Sequence, residues 1–114
     1  MANLAKQQCA PCREGTAPLS EEKIYSLLME IPEWRVVDDK GVVCLSRVFH
    51  FNDFRQALAF SHQVGELAET EQHHPQLITE WGKVTVKWWT HKIRGLHEND
   101  FVMAAKTSAL FAER

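Results

Sequence analysis

The chain contains no apolar run approaching the roughly 20 residues that span a bilayer. Its first residues, Met1-Ala2-Asn3-Leu4-Ala5-Lys6, lack the apolar core of a secretory signal. Neither a membrane span nor export is expected, and the chain reads as cytoplasmic. Basic charge is short as well: 13 Lys and Arg against 15 Asp and Glu give a formal net charge of -2. No cationic excess is available to grip a phosphate backbone, so direct nucleic-acid binding is not expected. Cysteine occurs only at Cys9, Cys12 and Cys44. An odd count without a signal peptide argues against a disulfide framework. Cys9-Ala10-Pro11-Cys12 has C-x-x-C spacing, but a second pair and a thioredoxin-like βαβ pattern are both missing. Incidental thiols in an N-terminal tail are the expectation. Internal repeats and low-complexity segments are missing too.

What is present suits one soluble domain: 114 residues, 45% of them hydrophobic and 25% charged, enough for a real core and no second catalytic module. Residues 1–18 show little apolar periodicity and contain Pro11, Gly15 and Pro18, so they read as a flexible tail ahead of a domain at 19–114. That domain opens with a helix signal. Ser20 is a good N-cap, Glu21 and Glu22 occupy the first turn, and Leu19 with Ile24 has hydrophobic-staple spacing. After Pro32, residues 34–37 and 42–49 read as strands joined through the turn-forming Asp38-Asp39-Lys40-Gly41. Asn52 can cap a second helix, with Phe54, Ala57, Leu58, Ser61, Val64, Gly65 and Ala68 forming its stripe. Residues 76–81 and 83–91 flank Gly82 as a second hairpin, with Val84, Val86 and Trp88 on one face and Thr85, Lys87, Trp89 and His91 on the other. Adjacent tryptophans cannot share a face, so one of Trp88 and Trp89 meets a helix and the other a ligand or another subunit. A last helix, capped by Asn99 or Asp100, aligns Phe101, Ala104, Ala105, Ser108 and Phe111. The expected fold is α+β: a four-stranded antiparallel sheet of two hairpins, with three helices on one face.

The chemistry concentrates in Glu69-Thr70-Glu71-Gln72-His73-His74-Pro75. Imidazole exchanges protons near neutral pH and is also the commonest metal ligand. Pro75 pushes His74 toward an extended backbone. Neighbouring side chains on an extended segment diverge, which leaves His73 and His74 poorly placed to hold one metal ion together. Three readings remain: one histidine packs at a helix-to-strand joint while the other is solvated, both serve acid–base chemistry, or, against this geometry, the pair binds a metal. Glu69 lies four residues before His73, where it faces that imidazole if the helix extends far enough and is otherwise a solvated glutamate. Trp81 is placed either to stack on a ligand or to pack beside the hairpin glycine. Asp100 has a sufficient explanation as a cap. His50, His62 and His97 fit surface or boundary positions.

Taken in order and spacing, Glu69, His73-His74-Pro75, Trp81, His91 and Asp100 resemble the signature of the pterin-4a-carbinolamine dehydratases, also called 4a-hydroxytetrahydrobiopterin dehydratases. The resemblance runs from residue 19 to about 112 and leaves the tail unexplained. It implies a hydro-lyase that removes water from a 4a-hydroxytetrahydropterin and regenerates quinonoid dihydropterin for the aromatic amino acid hydroxylases. It further implies that His73, His74 and His91 line the pterin pocket, with His73 and His91 the proton-transfer pair, and that Glu69, Pro75, Trp81 and Asp100 bind or support. The reaction is redox-neutral and calls for neither metal nor cofactor. The implied partners are the pterin and further copies of the chain, as a homodimer or homotetramer. Two alternatives come with the resemblance: a non-enzymatic dimerisation or regulatory module, as in animals for a homeodomain transcription factor, and a dehydratase-like protein acting on another, molybdopterin-linked pterin.

Overall fold

A computed structural model describes residues 4–9 and 17–113. The element order is α1 (Glu21–Leu28), β1 (Arg35–Asp39), β2 (Val42–His50), α2 (Phe54–Glu71), β3 (Gln76–Glu80), β4 (Lys83–Trp88) and α3 (Glu98–Ala112). This is the expected α+β arrangement. Ser20 does cap α1, its hydroxyl accepting from the Lys23 N–H at 3.2 Å. The β1–β2 connection is a two-residue turn with positive φ at both Lys40 (55°) and Gly41 (90°), the combination whose twist matches a right-twisted hairpin. Asp38 Oδ1 accepts from the Gly41 N–H at 2.8 Å and fixes that turn.

The four strands pair antiparallel in the order β1-β2-β4-β3. Registers such as Leu45 opposite Trp88 and Leu77 opposite Val86 align one apolar face. Leu45, Phe49, Val84, Val86 and Trp88 on that face are buried against Ala57, Phe60, Val64 and Ala68 of α2 and Phe101, Met103 and Ala104 of α3. Trp88 is the tryptophan that meets a helix: its Nε1–H donates to Thr107 Oγ1 of α3 at 3.1 Å.

Three details depart from expectation. The buried stripe of α2 is Ala57, Phe60, Ser61, Val64 and Ala68, whereas Phe54 and Leu58 are 44% and 53% exposed. Phe60 decides the rotation, because its ring packs on Phe49, Phe51 and Phe111 at centroid distances of 4.8, 5.2 and 5.8 Å. At about 100° per residue, Leu58 then falls roughly a quarter-turn from the middle of that stripe. The cap of α2 is Asp53, whose Oδ1 accepts from the Gln56 N–H at 2.8 Å, not Asn52. Finally, part of the segment expected to be a tail lies against the domain. Leu4–Lys6 form a short 3-10 turn, Leu4 is 3% exposed within the main apolar cluster, and Ala5 O accepts from Lys106 Nζ of α3 at 2.8 Å. The Cys9 N–H donates to Glu71 Oε1 at 3.2 Å. With this segment alongside, α3 is enclosed on more than its sheet face, so Val102, Met103 and Thr107 are buried together with Phe101 and Ala104. Cys12 lies outside the described residues. Among the described residues, no helix is long and apolar enough to cross a membrane.

Candidate active site

The site grows from the way α2 ends. Gln72 adopts a left-handed conformation (φ 53°, ψ 41°), its backbone N–H returns to Ala68 O and Glu69 O, and its side-chain Nε2–H donates to Glu69 O at 2.7 Å. The His73 N–H then donates to Ala68 O at 3.1 Å. This terminus reverses the chain at a residue without the usual glycine signal. Its consequence is directional: the His73 side chain points inward, only 11% exposed, while that of His74 points out.

His73 Nε2 lies 2.6 Å from Asp100 Oδ1, and its ring stacks on Trp88 at 5.9 Å with an interplanar angle of 19°. Asp100 is fully buried. Its other oxygen, Oδ2, accepts from Thr90 Oγ1–H at 2.8 Å and from the His97 backbone N–H at 2.9 Å. The latter contact belongs to a capping box at the start of α3, in which His97 is the N-cap and its Nδ1 accepts from the Asn99 N–H at 3.1 Å. The cap expected at Asn99 or Asp100 is therefore His97 instead. Asp100 stands at the third helical position, where the helix dipole favours an anion.

These contacts fix protonation chemistry. Both other donors bind Oδ2, which leaves Oδ1 of the carboxylate as an acceptor for the ring; with His73 Nε2 carrying the proton it accepts, Nδ1 is the basic nitrogen in the neutral ring. His74 also pairs with a carboxylate, its Nε2 lying 2.6 Å from Glu69 Oε2, but both side chains are exposed. Glu69 thus faces His74, not His73, because the left-handed Gln72 breaks the helical register that would have aligned residues four apart. His91 begins a short 3-10 turn after β4, which ends at Trp88 instead of continuing to 91. Its Nε2–H donates to the His74 carbonyl at 3.2 Å, and its ring stacks on Trp89 at 4.5 Å with an interplanar angle of 2°. The three imidazoles are thereby gathered where the end of α2, the end of β4 and the start of α3 converge, each with its Nε2 engaged by a neighbour within the chain.

Other expected site residues fall elsewhere. Pro75 is half-buried and leads into β3 beside the histidines. Trp81 is 73% exposed at the β3–β4 turn, about 20 Å along β3 from Pro75 at the usual rise per strand residue. Within one chain it does not meet the imidazoles. An open cleft of about 330 Å³ lined by Phe51, Gln56, Ala59, Phe60 and Gln63 opens beside the N-terminal half of α2, at the helix end remote from His73. Among the described residues no group of three or more His, Cys, Asp and Glu is arranged to hold a metal ion. The nearby thiol is a poor nucleophile: burial first, and then the Glu71 carboxylate, push Cys9 from an ordinary 9.0 up to about 11. Two functional candidates went unread in the sequence. Thr90 carries no local signal, and His97, set aside as a boundary residue, is betrayed only by the Asp three positions after it.

Comparison with known proteins decides the lineage. The family model described as pterin 4 alpha carbinolamine dehydratase matches residues 17–110. The chain belongs to the pterin 4 alpha carbinolamine dehydratase family. This is a hydro-lyase family, and proteins provisionally named pterin-4-alpha-carbinolamine dehydratase resemble the chain over nearly their whole length. One from Chlorobium luteolum is 58% identical over 113 residues, covering 99% of both chains. One from Microcystis aeruginosa is 46% identical over 114 residues, covering 100% of this chain and 98% of the other. These matches extend past the family model into the N-terminal segment. A crystal structure of a transcriptional coactivator/pterin dehydratase from Brucella melitensis superposes with a TM-score of 0.74 at 32% identity, over 82% of this chain and 97% of that one.

Proposed function

We propose that this member of the dehydratase family expels water from a 4a-hydroxytetrahydropterin by general acid–base catalysis from His73, His74 and His91, yielding the quinonoid dihydropterin and so recycling the cofactor of aromatic amino acid hydroxylases in the cytoplasm. Loss of hydroxide from a carbinolamine requires a proton delivered to the leaving oxygen and another removed from the adjacent ring nitrogen. The atoms balance with water as the only by-product and no change of redox state. A protonated imidazole supplies the first step and a neutral one the second, each contributing typically about 10²–10⁴-fold. The observation that carries this reading is the buried Asp100 paired with His73, which presents one ring nitrogen as a base in the manner of a carboxylate–histidine pair. His91, tethered to the His74 carbonyl, is the second member of the proton-transfer pair. Glu69 orients His74, and Pro75 sets the extended backbone that separates the two neighbouring rings.

Stopped-flow absorbance with chemically generated 4a-hydroxytetrahydropterin tests the proposal. Accelerated dehydration supports it, and a rate equal to the uncatalysed one overturns it. A second reading has its own observation. Phe54 and Leu58 are exposed one turn apart on α2, an apolar surface of the kind that joins copies of a chain or a partner. It supports assembly as a homo-oligomer, and a binding role on the same fold would show as unchanged pterin turnover but altered association when these two residues are replaced by Ser.

A further inference from the structure

We propose that Thr90 is a positioning residue for proton transfer: its buried hydroxyl locks the Asp100 carboxylate in the one orientation that holds His73 with its base nitrogen toward substrate. The inference deepens the proposed dehydratase reading and rests on it.

Thr90 lies between the elements that carry the site. It is 3% exposed, and it stands one residue after Trp89 and one before His91. Its backbone is pinned on both sides, the N–H donating to Gly95 O at 2.9 Å and the carbonyl accepting from the Ile93 N–H at 3.2 Å. A side chain on so fixed a backbone has little freedom, and being β-branched it is stiff at χ1. Its hydroxyl therefore reaches Asp100 Oδ2 as a preset donor at 2.8 Å. The other donor to that oxygen, the His97 N–H, belongs to α3 itself and moves with Asp100. Thr90 is thus the contact that references the carboxylate to β4, the strand leading to His91. Through Asp100 Oδ1 it references His73, on the end of α2, to the same strand. One hydroxyl registers two imidazoles drawn from different elements.

The chemistry requires such registration. Proton transfer needs donor and acceptor within hydrogen-bond reach of a substrate atom, and small misplacements are costly in rate. If the Thr90 donor is lost, Oδ2 keeps only the backbone N–H, the carboxylate rotates more freely about its Cβ–Cγ bond, and the Nε2–H···Oδ1 bond that holds the His73 ring in place loosens.

Thr90→Val keeps the shape and removes the hydroxyl, Thr90→Ala removes the hydroxyl together with the γ-methyl, and Thr90→Ser retains the hydroxyl. The full-length proteins are compared by thermal melting, by dehydration kinetics and by ¹⁵N imidazole NMR, with the His73 signals assigned from their loss in His73→Ala. Expected for both Thr90→Val and Thr90→Ala is a fall in kcat of roughly tenfold, the scale of one hydrogen bond to a carboxylate, with KM within about twofold. The His73 Nε2–H resonance should move upfield and exchange faster with solvent as its bond to Oδ1 loosens. Thr90→Ser should restore both readouts. A wild-type Nε2–H resonance in Thr90→Val and Thr90→Ala overturns the proposal, as does an equal loss of kcat in Thr90→Ser. Should the wild-type protein fail to dehydrate the carbinolamine, the proposed function falls, and the Nε2–H measurement still decides the role of Thr90.

Discussion

Asp100→Asn is the most direct probe of the site. The side chain keeps its shape, and its amide oxygen can still accept from Thr90 Oγ1 at 2.8 Å and the His97 N–H at 2.9 Å. Those two donors select the orientation, so the amide NH₂ is forced to face His73 Nε2, now 2.6 Å from Oδ1. A donor there demands an acceptor, and the imidazole must switch its proton to Nδ1. The ring remains in place while the nitrogen offered to substrate changes from base to donor. In other carboxylate–histidine pairs this swap costs up to about 10⁴-fold, and a single general base is worth about 10²–10⁴-fold. The expected fall in kcat for Asp100→Asn is accordingly at least about 10²-fold. Stability should change little by comparison, about 1–2 kcal/mol, because both bonds to Oδ2 survive and the third is exchanged for a neutral one. Asp100→Ala provides the contrast: it strands the Thr90 hydroxyl, the His97 N–H and His73 Nε2 in a buried space, and about 3–5 kcal/mol should be lost. Stopped-flow kinetics beside urea denaturation separate the two variants. A dehydration rate for Asp100→Asn within about threefold of wild type would refute the tautomer argument.

His73→Ala and His91→Ala should each lower kcat by roughly 10²-fold with oligomeric state unchanged in sedimentation, and the double variant should lose less than the product of the two, since groups acting in one transition state are not additive. Leu4→Ala should cost about 2 kcal/mol in urea denaturation, the low end for a buried leucine because the segment is short, and an unchanged midpoint would show that the N-terminal segment does not stabilise α3. At pH 8 the Cys9 thiol, raised by burial and Glu71 to about 11, should alkylate about 100-fold more slowly than in the urea-unfolded chain. Because its folded value lies above the unfolded one, the stability it confers is complete below pH 9.0 and drains away as pH rises through about 11. Melts at pH 8 and pH 10.5 should show that slope in the wild type and a shallower one in Cys9→Ala.

The elements were legible because their signals are local and repeat. Alternation over Val84, Val86 and Trp88 predicts a strand with one buried face, and all three are fully buried. The Asp38-Asp39-Lys40-Gly41 cluster predicts a turn, and the turn is there with its Asx hydrogen bond. Leu4–Lys6 shows why the N-terminal segment was not legible. Three residues of 3-10 helix have no period to detect, and what seats Leu4 is an apolar surface of α3 that only tertiary structure creates. The stripe of α2 failed on rotation rather than on type, since periodicity admits Phe54 and Leu58 as readily as Phe60 and only the ring cluster around Phe49 selects among them.

The site was legible as a set of residues and illegible as a set of pairs. Histidines at 73, 74 and 91 and carboxylates at 69 and 100 were all marked, yet the obvious partner for His73, the glutamate one helical turn earlier, serves its neighbour. That exchange turns on Gln72, a non-glycine residue at φ 53° whose left-handed conformation is stabilised by its own side chain reaching back to Glu69 O. No spacing rule anticipates it. Asp100 then takes the place expected of Glu69, 27 residues along the chain, and the substitution matters chemically. A carboxylate with the exposure of Glu69 bonds its imidazole directly but is screened by the surrounding water, whereas one buried under Thr90 and the start of α3 is held in a fixed place and fixes a tautomer. The buried pair is therefore where proton transfer should be most sensitive to substitution, and the exposed pair where it should be most tolerant.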